Sequence, residues 1–211
     1  MRPILAPSIL AYDHCNLCSG LKEIEDFGAK FVHVDVMDGT FVPNIAFGQG
    51  VVESLRKRTD LILDVHLMVS APFNLVESFV NAGSDIITVH IESVGNISKT
   101  IQLIHSCGKK AGIAVKPNTP LERISEYLCN VDAVLVMGVE PGMCGQKFLP
   151  NTLDRIKRLA SMRETNNLDY KISVDGGINA TNAKLVIDSG ADIIVSGSSF
   201  FQEKEKFLEF V

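Results

Sequence analysis

"FVHVDVMDG", residues 31–39, alternates with a period of two. Phe31, His33, Asp35 and Met37 fall on one face and Val32, Val34 and Val36 on the other, because successive side chains of a strand point to opposite sides. The valine face asks only for a packing partner. The other face carries an imidazole, a carboxylate and a thioether in succession. A strand so built has one side on a core and the other on a partly polar enclosed space.

The pattern recurs outward from this stretch. Short β-branched runs are expected as strands at 4–9, 30–37, 61–68, 86–90, 110–115, 133–137, 171–175 and 193–196. Helical periodicity lies between them near 17–27, 48–58, 73–82, 97–107, 121–129, 150–164 and 182–189, with a last helix near 203–210. Thr181 is placed to cap the seventh helix, and Gly28, Gly83, Gly108 and Gly190 follow helix ends. Strand–helix alternation implies a parallel sheet covered by helices. Eight repeats without a linker predict a single (β/α)₈ TIM barrel over residues 1–211. An open doubly wound sheet is the competitor, but both its faces would be apolar. Here several strands turn polar on one face near their C-terminal ends, as a barrel mouth requires.

Composition narrows the function classes. Of 211 residues, 46% are apolar and 21% charged, with a formal net charge of −5. That balance argues against nucleic acid as a partner, since phosphate backbones select basic faces. No apolar run approaches the length of a membrane span, and the start "MRPILAPSIL" lacks a signal-like apolar region. A cytoplasmic protein without a membrane partner is expected. Cys15 and Cys18 form a C-x-x-C, but no second pair completes a zinc site, and they read as reduced thiols at a helix start.

The third strand, "LILDVHLM", places Asp64, His66 and Met68 on one face. The seventh, "KISVDGG", places Ser173 and Asp175 together; the sixth ends in Met137 and the first in Ser8. His33 and His66 are read at equivalent depth on adjacent strands. Two histidines and two carboxylates thus reach one end of the barrel with no basic residue nearby. A buried charge needs a partner or a metal. One divalent ion, Zn²⁺, Fe²⁺, Mn²⁺ or Co²⁺, satisfies the set His33, Asp35, His66 and Asp175, whereas Mg²⁺ prefers oxygen and water. Asp64, one layer below His66, is positioned to orient a ligand. Met37, Met68 and Met137 form an apolar wall that limits water without donating protons.

Glycines point to the ligand. "DGGIN" (175–179) and "SGSS" (196–199) follow strands seven and eight, where such barrels commonly bind phosphate through backbone N–H groups. "EPGMCGQ" (140–146) is expected to fit over the mouth, which makes Gly142, Cys144, Gly145 and Gln146 candidates for substrate contact.

Taken in order and spacing, "APSIL" (6–10), "HVDVMDGTFVPN" (33–44), "DVHLMV" (64–69), "VEPGMCGQKF" (139–148), "VDGGIN" (174–179) and "SGSS" (196–199) resemble the ribulose-phosphate 3-epimerase family. The resemblance implies a (β/α)₈ barrel that moves a proton at C3 of a small-molecule ketose phosphate through an enediolate. It implies metal ligation by His33, Asp35, His66 and Asp175 and acid–base roles for Asp35 and Asp175. It also implies substrate contacts by Ser8 and His66, and phosphate contacts by Gly176, Gly177, Gly197 and Ser198. Family members usually carry an aromatic residue and a glycine where this chain has Met143 and Cys144. A six-carbon substrate such as D-allulose 6-phosphate shares the same residues and stays open. So do a Schiff-base aldolase using Lys116 and a catalytically silent sugar-phosphate binder. Exposed helix faces suggest a homo-oligomer.

Overall fold

The computed structural model describes residues 3–210. Nine strands are present among them: β1 (Ile4–Pro7), β2 (Phe31–Asp38), β3 (Ile45–Ala46), β4 (Ile62–Met68), β5 (Ile86–His90), β6 (Lys110–Val115), β7 (Ala133–Met137), β8 (Lys171–Asp175) and β9 (Ile193–Ser196). They form one curled sheet in the order β1-β9-β8-β7-β6-β5-β4-β2-β3. All pairings are parallel except that of β3, a two-residue addition antiparallel to the end of β2. The expected third to eighth strands are therefore β4 to β9. The expected closed barrel appears in the ladder as an open-ended sheet whose β1 and β2 meet through a single parallel bridge, Ser8 to His33.

Helices α1 (Leu17–Phe27), α2 (Gln49–Arg56), α3 (Val76–Asn81), α4 (Ile97–Ser106), α5 (Thr152–Thr165), α6 (Ala183–Asp188) and α7 (Ser198–Glu203) cover the outer face. The expected helices at 121–129 and 203–210 are instead 3₁₀ segments, Leu121–Tyr127 and Lys204–Phe210. Apolar periodicity does not separate the two helix types over so short a span. Gly28 closes α1 in the left-handed conformation, φ 95°. Thr181 does not cap α6: the N-cap position is Asn182, without a side-chain capping bond, and Asn179 Oδ1 accepts the Thr181 and Asn182 N–H groups in the turn before it.

The outward residues of the strands, among them Val32, Val34, Leu63, Val65, Ile87 and Val174, are buried against the helices in one continuous core. The inward residues split into small separate clusters, such as Ala6 with Ile193 and Val195, and Ala114 with Leu135 and Met137. The apolar material inside is thus broken by polar side chains. Period two, applied to the strands, sorts these two sets correctly.

Three aspartates fasten the entry end. Asp85, Asp132 and Asp192 immediately precede β5, β7 and β9. Their carboxylates accept the N–H of Leu63, Ala111 and Ile172 on the preceding strand at 2.9, 2.8 and 2.8 Å. Their own N–H groups bond the carbonyls of those same residues, and their carbonyls accept from Lys110, Lys171 and Ile4 on the following strand. Each aspartate so clasps three strands, and each is paired to Arg56, His105 or Arg163. Asp192→Ala removes the acceptor of the Ile172 N–H and the partner of Arg163. It should lower unfolding stability by about 1–3 kcal/mol, the usual cost of a stranded buried donor. Urea denaturation measures this, with the solvent-facing Asp154→Ala as a control expected within about 0.5 kcal/mol of the parent.

Candidate active site

In the β2–β4 register His33 lies opposite Asp64, Asp35 opposite His66, and Met37 opposite Met68. The two histidines are therefore offset by one inward layer, not level as the period-two pattern alone suggested. The offset still brings them together, with ring centroids 5.5 Å apart.

His33 is fully buried. Its Nδ1 is 2.8 Å from Asp64 Oδ2, and an N–H there donates to the carboxylate. In the neutral ring that leaves a lone pair on Nε2, facing inward. Nε2 has no hydrogen-bond partner, a costly state for a buried nitrogen. Asp35 Oδ2 accepts the Ser8 hydroxyl at 2.6 Å, and its Oδ1 lies 3.1 Å from His66 Nδ1 and 3.3 Å from His33 Nε2. Asp175 Oδ2 is 3.9 Å from the same His66 nitrogen. One ligand atom from each of His33, Asp35, His66 and Asp175 falls within 4.8 Å of all the others. The stranded Nε2 and this mixed nitrogen–oxygen donor set fit a divalent transition ion. The pattern read from the sequence assembles in space.

The electrostatics follow from burial and proximity. Burial opposes a charged His33, but Asp35 and Asp64 outweigh it and hold the ring's proton affinity well above the ordinary value. Burial also pushes Asp35 upward; with no ion bound, the neighbouring imidazoles of His33 and His66 outweigh it and keep it well below the usual carboxylate range. Asp175 goes the other way. Burial first, then the charge of Asp35, raise it to about 6. Two neighbouring carboxyls thus have opposite protonation preferences.

A cavity of about 380 Å³ opens over this group. It is lined by Ser8, Asp35, Asp175, the methionines Met37, Met68 and Met137, and the loop residues Gly142, Cys144, Gly145 and Gln146. Gly176, Gly177, Gly197 and Ser198 line it from the other side, while His33 and His66 sit buried beneath. Loop 140–146 rests on the mouth: Asn44 donates to the Gly142 carbonyl, and the Gln146 amide is tied to the carbonyls of Glu140 and Met143. Gly177 has φ 70°, and a Cβ there would lie 2.5 Å from the Phe148 nitrogen. Loop packing alone therefore demands glycine at that position. Lys116, which a Schiff-base reading needs, lies with Nζ 4.0 Å from the Phe41 ring centroid and does not line the cavity.

His90 and Glu92 escaped the sequence reading. His66 Nε2 is 2.9 Å from His90 Nε2, His90 Nδ1 is 3.0 Å from Glu92 Oε2, and Glu92 Oε1 accepts the Lys116 N–H at 2.9 Å. The signal was available, because Ile86, Thr88 and His90 form one face of β5 and His90 ends it. A single histidine without an acid on its own strand face did not stand out.

Residues 4–201 match the Ribulose-phosphate 3 epimerase family. The chain is similar to the ribulose-phosphate 3-epimerase of Treponema pallidum, 48% identical over 197 residues, covering 93% of this chain and 90% of that protein. It is similar also to that of Chlamydia muridarum, 43% identical over 212 residues, covering 97% and 93%. Among solved structures, 3-keto-L-gulonate-6-phosphate decarboxylase from Vibrio cholerae superposes over 100% of both chains with a TM-score of 0.71 at 14% identity, a likeness of TIM-barrel type that concerns the fold alone. With the matched span running from the first strand into α7, the chain belongs to the ribulose-phosphate 3-epimerase family.

Proposed function

We propose that the protein interconverts D-ribulose 5-phosphate and D-xylulose 5-phosphate at a site formed by Ser8, His33, Asp35, His66 and Asp175. The observation that carries this is geometric: Asp35 and Asp175 meet His33 and His66 with one ligand atom from each within 4.8 Å of the others, beside a buried imidazole nitrogen that lacks a hydrogen-bond partner. The names of the relatives supply the substrate. The Ser8–His33 bridge supports reading the curled sheet as a closed (β/α)₈ barrel, with this site at its mouth.

His33, Asp35, His66 and Asp175 would hold one divalent ion, Zn²⁺, Fe²⁺, Mn²⁺ or Co²⁺. Such an ion supplies Lewis-acid stabilisation of the negative charge that builds up when a C3 proton leaves, a contribution of several kcal/mol. The protein's own residues handle the proton. Asp35, kept ionised and held in place by the Ser8 hydroxyl, accepts it in one direction. Asp175, from a strand not adjacent to β2, delivers a proton to the other face of the planar enediolate, and the roles exchange in the reverse reaction. Met37, Met68 and Met137 offer no exchangeable proton and keep water from the reacting carbon. The Gly176–Gly177 and Gly197–Ser198 backbone takes the phosphate. The five free cysteines suit a reducing compartment, and the protein is assigned to the cytoplasm.

Asp175→Asn should lower epimerisation by about 10²–10⁴-fold. Proton NMR of ribulose 5-phosphate in heavy water follows it, and a fully active variant would refute the two-carboxylate scheme. Chelation should abolish turnover and added Zn²⁺, Mn²⁺ or Co²⁺ restore it, whereas His33→Ala should stay inactive under the same additions. The cavity volume admits pentose and hexose phosphates alike, so turnover of D-allulose 6-phosphate is the competing measurement. A higher kcat/KM on the six-carbon sugar would replace the substrate and leave the chemistry.

A further inference from the structure

The four-ligand cluster needs His66 to present a bare Nδ1, but that nitrogen lies 3.1 Å from Asp35 Oδ1, which invites a proton onto it. Something must hold the ring in the opposite tautomer. We propose that Glu92 and His90 form a polarised hydrogen-bond chain that fixes His66 as the Nε2–H tautomer and so presents Nδ1 to the metal. This inference rests on the metal centre proposed above and adds two positioning residues to it.

The direction of the chain follows from its far end. The Lys116 backbone N–H can only donate, so Glu92 Oε1 is an acceptor. The other oxygen, Oε2, accepts from His90 Nδ1. A neutral His90 with its proton on Nδ1 has a lone pair on Nε2. The 2.9 Å contact between the two Nε2 atoms then requires His66 to be the donor. His66 Nε2–H leaves Nδ1 unprotonated, on the side of Asp35 and Asp175. His90 is 0% exposed, and water has no access to reverse the chain. The Phe41 ring lies against His90 with centroids 4.7 Å apart, which fixes the ring plane. His33 is served in the same way by one carboxylate, Asp64. His66 is served through an intervening imidazole. Partners of this kind around metal-ligating histidines set the tautomer and the basicity of the ligand.

Glu92→Gln is the most direct test, since it changes one oxygen to an NH₂ group at nearly constant volume. The Lys116 N–H keeps the amide oxygen, so the amide NH₂ faces His90 Nδ1. His90 must then donate through Nε2, and His66 is forced to carry its proton on Nδ1. Cobalt titration followed by visible absorption should show metal binding weakened about 10–100-fold in Glu92→Gln. His90→Phe should show a similar loss, and His90→Gln, which keeps an acceptor for His66, should recover much of the affinity. Long-range ¹H–¹⁵N NMR of the zinc-loaded wild type should place protons on His66 Nε2 and His90 Nδ1 and none on His90 Nε2. Thermal melting of each variant verifies folding. Wild-type cobalt affinity in both Glu92→Gln and His90→Phe, or a proton on His66 Nδ1 in the zinc form, would overturn the positioning role while leaving the metal centre standing. Failure of the wild type itself to bind cobalt would overturn both.

Discussion

The site depends on one buried anion. Asp35 is 4% exposed, and removing a carboxylate from water is costly unless its lone pairs are met. Ser8 meets one oxygen from the neighbouring strand, and His33 and His66 crowd the other. Several polar groups inside the curled sheet answer to that charge. Asp64 holds His33 from behind, Asp35 pushes Asp175 toward its protonated form, and His90 stands behind His66. The apolar methionines then close the space without adding competing donors. Solvation, more than hydrophobic packing, decides which side chains this end of the curled sheet tolerates.

Much of this was legible in the sequence, for a geometric reason. A strand's side chains alternate without drift, so "FVHVDVM" and "LDVHLM" reveal their inner faces by inspection. The bounds of β5 to β9 coincide with the β-branched runs. Relative depth was not legible. Register between parallel strands is set by tilt and by the loops, neither of which is written in a single strand, and so His33 proved level with Asp64 and not with His66. Helix type at Leu121–Tyr127 was missed for want of length. The antiparallel β3 was missed because two residues carry no period.

The loops at the mouth show two constraints meeting on the same atoms. Gly177 suits a backbone that must approach an anion, yet its positive φ and its nearness to Phe148 would require glycine even without one. The Gln146 side chain, which the sequence offered as a ligand contact, spends its amide on two carbonyls of its own loop. Shaping the cavity and contacting its contents are separate tasks here, and one residue type can serve either. The cluster at the strand ends is more diagnostic than the glycines because no packing argument explains it.

The single bridge between Ser8 and His33 bears on how the chain matures. β1 finds its full partner only in β9, some 190 residues later, through Ile4 to Ser196 and the Asp192 carbonyl. The edge of β1 therefore waits for β9, and contacts of such long separation form slowly. The joint closed last is that of β1 with β9, whereas the single-bridge seam lies on the other side of β1, where the Ser8 hydroxyl reaches Asp35. The buried carboxylate thus sits on the seam where the backbone ladder is thinnest, and the Ser8–Asp35 side-chain bond supplies there what strand pairing does not.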